Sequence, residues 1–120
     1  MGQPVVHFEI GCRDRARTTE FYARLFDWNI QENGPTSMID AGGGIGGHIT
    51  ALGQEPHHYT IFYIEVDDIQ RAYETLVARD VHFQGKPHLI AKMSDHDLWM
   101  AFFRDSENNL LGLMSEVPSK

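Results

Sequence analysis

The sequence predicts an α+β fold made of two βαβββ modules, whose curved sheets carry the helices on their outer faces. Three observations predict it. The order strand, helix and about three strands occurs twice within 120 residues. Both helices show an apolar stripe at spacings of three and four. A shift of 54 positions also aligns identical residues without a gap: Phe8 with Phe62, Ile10 with Ile64, Asp14 with Asp68, Arg17 with Arg71 and Glu20 with Glu74.

The first strand and the first helix open the chain. Residues 5–10 alternate apolar and polar side chains, which predicts a strand. Residues 13–26 repeat apolar side chains along one stripe, and Asp14 near the start suits a helix cap. Alternation along the strand separates two faces, one with Phe8 and Ile10 and the other with His7 and Glu9.

The rest of the first module, expected over about residues 4–50, is strand and turn. Residues 33–35 have turn composition between the next two strands. The glycine-rich run 42–49 does not match a nucleotide-binding motif, because neither the glycine spacing nor a following Lys-Ser or Lys-Thr pair is present. It is interpreted as a strand where backbone or a ligand approaches closely. The strands before it are predicted at residues 28–31 and 37–41.

The second module is expected over about residues 58–116, after a connection at residues 50–58. A strand is predicted at residues 59–66. A helix follows at residues 69–79, capped by Asp67 or Asp68. Further strands are predicted at residues 81–84, 89–91, 98–103 and 110–114.

Composition excludes several classes of protein. Lys and Arg total 10 and Asp and Glu total 17, so the formal net charge of −7 disfavours nucleic acid and anionic membrane as partners. Cys12 is the single cysteine of the sequence, which excludes an internal disulfide and a zinc site built from cysteines. Neither a membrane helix nor a secretory signal is visible, so we expect a cytoplasmic globular domain.

Four runs of sequence, in order and partly duplicated, carry a family resemblance. They are residues 7–10 (HFEI), 21–28 (FYARLFDW), 66–69 (VDDI) and 103–113 (FRDSENNLLGL). Together they resemble the glyoxalase/bleomycin-resistance/dioxygenase (vicinal oxygen chelate) superfamily. The resemblance implies a single glyoxalase-like domain over residues 1–120, made of paired modules in curved half-barrels. It also implies a ligand site inside them and a homodimer, and it leaves open whether modules pair within one chain or between chains.

The resemblance further implies that a member which uses metal holds one divalent ion, Zn, Ni, Fe or Mn, through four ligands, typically His and Glu, from the first and last strands of each module. His7 matches the first ligand position. The equivalent position in the second module is Ile61, and the last-strand position is Gly112, neither of which can bind metal. The remaining position corresponds to Gly46, with His48 two residues further along the same face. The expected metal site is therefore incomplete.

An unusual metal site remains as an alternative hypothesis. His7 and His48 are its candidate metal ligands, and Glu9 is its candidate catalytic residue, since it lies beside His7 on the predicted strand. The predicted ligand cavity is lined by a larger set: His7, Glu9, Gly46, His48, Tyr63, Glu65, Trp99, Gly112 and Met114. Because glycines leave space in a cavity wall, bulky substitution at Gly46 or Gly112 is expected to cost little stability.

Three functions compete. The first is binding of a small molecule in a half-barrel cavity whose metal site is incomplete. The alternative is a divalent-metal-dependent lyase, isomerase or dioxygenase with a rearranged ligand set around His7. A standard glyoxalase I is disfavoured, because that chemistry needs both a metal and a carboxylate base. A non-catalytic dimer module is the third possibility, which no feature of the sequence supports.

Overall fold

The computed structural model of the protein describes residues 2–118, which form two compact units. The first unit contains residues 6–62, and the second contains residues 2–5 and 63–118. Within the described residues, neither helix is long and apolar enough to cross a membrane. The elements in chain order are β1 (Val5–Gly11), α1 (Arg15–Phe26), β2 (Asn29–Asn33), β3 (Thr36–Asp40), β4 (Gly46–Thr50), β5 (Tyr59–Glu65), α2 (Ile69–Ala78), β6 (His82–Phe83), β7 (His88–Lys92), β8 (His96–Arg104) and β9 (Leu110–Pro118).

The first unit is a four-stranded sheet with α1 packed on one face. The strand order is β2-β3-β4-β1, with β1 parallel to β4 and the other pairs antiparallel. The helix begins after Asp14, whose side chain accepts a hydrogen bond from the Arg17 amide and so satisfies an otherwise unpaired N–H. Tyr22 of α1 stacks on Trp28 with ring centroids 4.9 Å apart. This face forms the core, centred on Cys12, Ile39 and Ile49.

The second unit repeats this pattern. The end of β5 runs parallel to β9, β9 pairs antiparallel with β8, and β8 pairs with both β6 and β7. Asp68, and not Asp67, is the cap of α2, because its carboxylate accepts a hydrogen bond from the Arg71 amide. The core under α2 is formed by Val66, Ile69, Ala101 and Leu113.

The internal repeat is visible in the structure as well as in the sequence. The first strands of the units, β1 and β5, begin 54 residues apart, and so do α1 and α2. Each helix has an aspartate cap one residue before it. Each unit also pairs its first strand with its last in parallel. The predicted architecture of two βαβββ modules is therefore present, with the short strand β6 as an addition to the second module.

The glycine-rich run forms a turn and then a strand. Gly42 and Gly44 have φ angles of 93° and 70°, in the left-handed region that glycine adopts without steric cost. The strand predicted at residues 42–49 therefore begins only at Gly46. Cys12 is buried and its thiol lies 3.6 Å from the Thr50 carbonyl oxygen, as expected for a small packed side chain.

Trp99 was predicted to line the ligand cavity, and the structure places it on the opposite face of its sheet. It packs with the apolar core under α2. The reason is strand alternation along β8: Trp99 shares a face with Ala101 and Phe103, whereas Met100 and Phe102 point the other way. The aromatic side chain of β8 on the helix-free face is Phe102, whose ring meets Tyr63 edge-on at 5.9 Å.

Gly112 was expected to leave ligand space, and the structure shows that it provides close packing instead. A Cβ atom at Gly112 would lie 2.3 Å from the ring of Tyr63, which is 0% exposed. Gly46 differs, since a Cβ there would meet only the Ile39 carbonyl oxygen, at 3.4 Å. The two glycines therefore have different roles, although both lie on last strands of their modules.

The Gly112→Ala variant is expected to lose about 1–3 kcal/mol of unfolding free energy, because the added methyl group overpacks the site around Tyr63. Gly46→Ala is the matched control, and its unfolding free energy should change by less than about 1 kcal/mol. Urea denaturation followed by circular dichroism measures both values. Equal stability of the two variants would contradict the close-packing role of Gly112.

Candidate functional site

The candidate site lies on the helix-free face of the first unit. Alternation along β1 places His7 and Glu9 on this face, and the parallel pairing with β4 sets His7 opposite Gly46 and Glu9 opposite His48. All four belong to the set predicted for the cavity. The intervening Phe8 packs toward α1, so the same alternation separates polar site residues from the core.

Four side chains form a connected series that we call the polar chain: His7, His48, Glu9 and Tyr59. His7 Nε2 and His48 Nδ1 are 2.7 Å apart, within hydrogen-bond distance. On the other side of the same imidazole, His48 Nε2 lies 3.4 Å from Glu9 Oε1. The Tyr59 hydroxyl donates a hydrogen bond to Glu9 Oε2. The residue Glu9 is 4% exposed, so its carboxylate is surrounded by protein and meets its partners at low dielectric.

The connection between the modules completes this arrangement. Residues 51–58 fold back so that the Gln54 amide donates a hydrogen bond of 3.0 Å to the Tyr59 hydroxyl oxygen. The Tyr59 ring passes so close to Gly11 and Gly53 that a Cβ at either position would collide with it. The hydroxyl thus accepts from the backbone on one side and donates to Glu9 on the other.

Burial shifts the pKa of His7 and the pKa of Tyr59. The pKa of His7 is lowered to about 4, mainly because burial disfavours the imidazolium and also because His48 is near, while Glu9 acts in the opposite direction. Burial and the hydrogen bond to Glu9 raise the pKa of Tyr59 above its ordinary value. At neutral pH, His7 is therefore a neutral imidazole and Tyr59 a neutral phenol.

The network determines where the protons lie. A carboxylate oxygen can only accept, so the proton of His48 is favoured on Nε2, which faces Glu9. With the proton of His48 on Nε2, its Nδ1 carries a lone pair, and His7 Nε2 must then be the donor across the 2.7 Å contact. In this arrangement His7 is the donor to His48, and His48 presents its Nε2–H to the carboxylate of Glu9 at 3.4 Å.

The predicted site residues of the second module lie in the second unit. Within that unit Tyr63 is paired with Gly112 and Glu65 with Met114, and all four are on the helix-free face of its sheet. The register also corrects one correspondence between the modules. Glu9 and Tyr63 are equivalent by the 54-residue shift, so His48, and not Gly46, is the counterpart of Gly112.

The residues do not fit the four-ligand metal ion that the resemblance implies. Ile61 and Gly112 supply no donor atom at two of the four positions. Glu9 and His7 contact opposite sides of the His48 ring, so one ion cannot reach all three through these atoms. Within residues 2–118, no group of three or more His, Cys, Asp or Glu side chains is arranged to hold a metal ion.

Tyr59, Gln54 and Gly53 were not among the residues predicted for the site. The available signal was strand alternation, which places Tyr59 on the same face as Ile61 and Tyr63. Nothing in the sequence indicated Gln54 or Gly53. Gln54 contributes its backbone amide and Gly53 its lack of a side chain, and both meet Tyr59 only because residues 51–58 fold back.

Comparisons with known proteins support this description of the fold. The family model described as Glyoxalase/Bleomycin resistance protein/Dioxygenase superfamily matches residues 5–113. No curated protein matches the chain.

Solved structures of low sequence identity share the fold. A superfamily member from Vibrio splendidus 12B01 is 14% identical, with a TM-score of 0.72 over 96% of this chain and 99% of that one. The hypothetical protein BH1468 from Bacillus halodurans C-125 is 13% identical, with a TM-score of 0.76 over 100% and 99%. Methylmalonyl-CoA epimerase of Streptomyces coelicolor, in complex with 2-nitronate-propionyl-CoA, is 15% identical, with a TM-score of 0.66 over 96% and 98%. These likenesses confirm the predicted α+β fold of two βαβββ modules and concern the fold alone.

Stability is expected to fall as the pH is lowered from about 6.5 to about 4, in part because of His7. In this window the unfolded chain protonates His7 and the folded chain does not, so the free energy of unfolding rises with pH. After allowance for solvent screening, this contribution is on the order of 1–2 kcal/mol.

Urea denaturation across this pH range measures the effect. His7→Gln keeps a neutral hydrogen-bonding side chain and should flatten the pH dependence relative to the unsubstituted protein. His82→Gln, at an exposed position on β6, is the matched control and should not. An unchanged slope in His7→Gln would show that folding does not hold His7 neutral.

Proposed function

The chain belongs to the Glyoxalase/Bleomycin resistance protein/Dioxygenase superfamily, and on that premise we propose that it binds a small organic molecule at the polar chain of its first module. His7 and His48 are the proposed contacting groups, with Glu9 and Tyr59 behind them. The family's four-ligand metal centre has no part in this proposal. The observation that supports it is the series of polar contacts from His7 to Tyr59 on the helix-free face, in which His7 with His48 and Tyr59 with Glu9 are hydrogen-bonded and His48 lies 3.4 Å from Glu9.

The local chemistry of the polar chain suits binding. Ligand sites combine a largely apolar surface with a few polar groups that fix orientation. His7 and His48 are half-buried, and Glu9 is buried behind them. Because their mutual contacts hold the rings in place, they are pre-organised, and a bound molecule would not have to order them.

The charge of the same face restricts the class of molecule. All four basic residues of the first unit, Arg13, Arg15, Arg17 and Arg24, lie on α1 or on the turn before it, whereas Glu9 and Asp40 belong to the sheet face that carries no helix. An anion on this face would meet negative charge without an arginine or lysine of this unit on the same face to compensate it. We therefore expect an uncharged or cationic molecule with hydrogen-bonding groups.

Metal analysis separates this proposal from the metal-dependent lyase, isomerase or dioxygenase. Protein purified without a chelator, and then titrated with Zn²⁺, Ni²⁺, Fe²⁺ or Mn²⁺, is expected to hold less than one equivalent of tight metal, because two ligand positions lack donors. Mass spectrometry of the metals and calorimetry give the content and the affinity. Stoichiometric metal that is lost in His7→Ala would overturn the proposal and favour the enzyme with a rearranged ligand set.

A fragment screen tests the binding and its charge preference. In a library with equal numbers of amines, uncharged polar compounds and carboxylic acids, we expect the first two classes to shift the ring signals of His7 and His48 in NMR spectra. The His7→Ala variant should lose at least tenfold in affinity for these compounds, whereas His82→Ala should keep it. The ligand class proposed would be wrong if carboxylic acids bound best, and the site would be wrong if His7→Ala bound as well as the unsubstituted protein.

Assembly and location are separate expectations. The homodimer and the cytoplasmic location expected from the sequence stay predictions. The binding proposal concerns residues of one unit of one chain and is independent of both.

A further inference from the structure

Tyr59 occupies a position that its surroundings define closely. Its hydroxyl accepts a hydrogen bond from the Gln54 amide and donates one to Glu9 Oε2. Its ring fills the space left by two glycines, Gly11 and Gly53. A Cβ at Gly53 would collide with the hydroxyl oxygen and would also come within 2.9 Å of Glu9 Oε2.

This contact determines how the carboxylate of Glu9 is turned. With Oε2 held by Tyr59, the other oxygen Oε1 is the one that faces His48 Nε2, at 3.4 Å. Rotation of a carboxylate about its last side-chain bond is soft, and the hydrogen bond from Tyr59 restricts this rotation in Glu9. The separation of 3.4 Å between His48 Nε2 and Glu9 Oε1 is long for a hydrogen bond, so the hydrogen bond from Tyr59 is the stronger of these two contacts.

We propose that Tyr59 is a positioning residue for the site: by fixing Glu9, it sets His48 and His7 as the tautomers that carry their protons on Nε2. The opposite arrangement would place the lone pair of His48 Nε2 against the carboxylate of Glu9, which is repulsive. Tyr59, Glu9 and His48 thus determine which ring nitrogen of His7, the outer member of the polar chain, is the donor. The importance of this role for binding rests on the proposed function, whereas the tautomers themselves can be measured without any ligand.

Nitrogen-15 NMR of the histidine rings at pH 8 tests the proposal directly. Protonated and unprotonated ring nitrogens of neutral imidazole have well-separated shifts, so each tautomer has its own signature. In the unsubstituted protein, His7 and His48 should both show a single tautomer with the proton on Nε2. In Tyr59→Phe, which keeps the ring over Gly11 and removes only the hydroxyl, His48 should lose this single tautomer and show averaged shifts.

Three further variants keep the test decisive. Tyr22→Phe removes a tyrosine hydroxyl from the helix face of the same unit and should leave the histidine signals unchanged. Gly53→Ala displaces the Tyr59 hydroxyl without changing a side chain of the polar chain, and it should reproduce the Tyr59→Phe spectrum. Gly43→Ala is its control, since a Cβ there has nothing within 4 Å.

Two outcomes would overturn the positioning role. One is a proton on Nδ1 of His48 in the unsubstituted protein. The other is an unchanged nitrogen-15 signature of His48 in Tyr59→Phe and Gly53→Ala, when circular dichroism shows that both variants are folded. These results are independent of the proposed function. If Tyr59→Phe loses the single tautomer of His48 while the unsubstituted protein binds no fragment, the positioning role of Tyr59 stands and the proposed binding site is rejected.

Discussion

The parallel pairing of β1 with β4 is the constraint on which the candidate site depends. Its register sets Glu9 opposite His48 and His7 opposite Gly46. A shift of one residue would turn His48 toward α1 and Ile49 toward the helix-free face, because side chains alternate along a strand. The apolar core opposes such a shift, since Ile49 is fully buried against it. Burial of a few aliphatic side chains on one face therefore fixes the position of the polar chain on the other.

The duplicated scaffold does not carry duplicated chemistry. Both units pair their first and last strands in parallel, and both begin their helices with an aspartate cap. Backbone hydrogen bonds form this framework and do not depend on side-chain identity, so the polar pair of Glu9 and His48 has Tyr63 and Gly112 as its counterpart. This agrees with a superfamily in which one fold accommodates many functions, since function resides in the side chains placed on it.

The glycines show that the role of a residue can depend on its tertiary contacts and not on the sequence around it. The run from Gly42 to Gly47 contains residues with at least three uses: turn conformation at Gly42, tolerance of a side chain at Gly46, and contact with the Phe8 ring at Gly47, where a Cβ would lie 2.7 Å from the ring. Nothing in the run itself distinguishes them. The same holds for Gly112, because the ring that fills the space beside it belongs to Tyr63, distant in sequence.

Periodicity and repetition in the sequence predicted the secondary structure, the two-module architecture and the face on which His7, Glu9 and His48 lie, and four runs of residues carried the resemblance to the family. These are local properties, set by alternation, helix caps and apolar spacing. Only the tertiary structure decided that Tyr59 joins these residues, that Trp99 packs under α2, and that Gly112 is a packing position. The physical reason is that each of these depends on atoms brought together by strand register and by the folding back of residues 51–58, and no spacing along the chain encodes such distances.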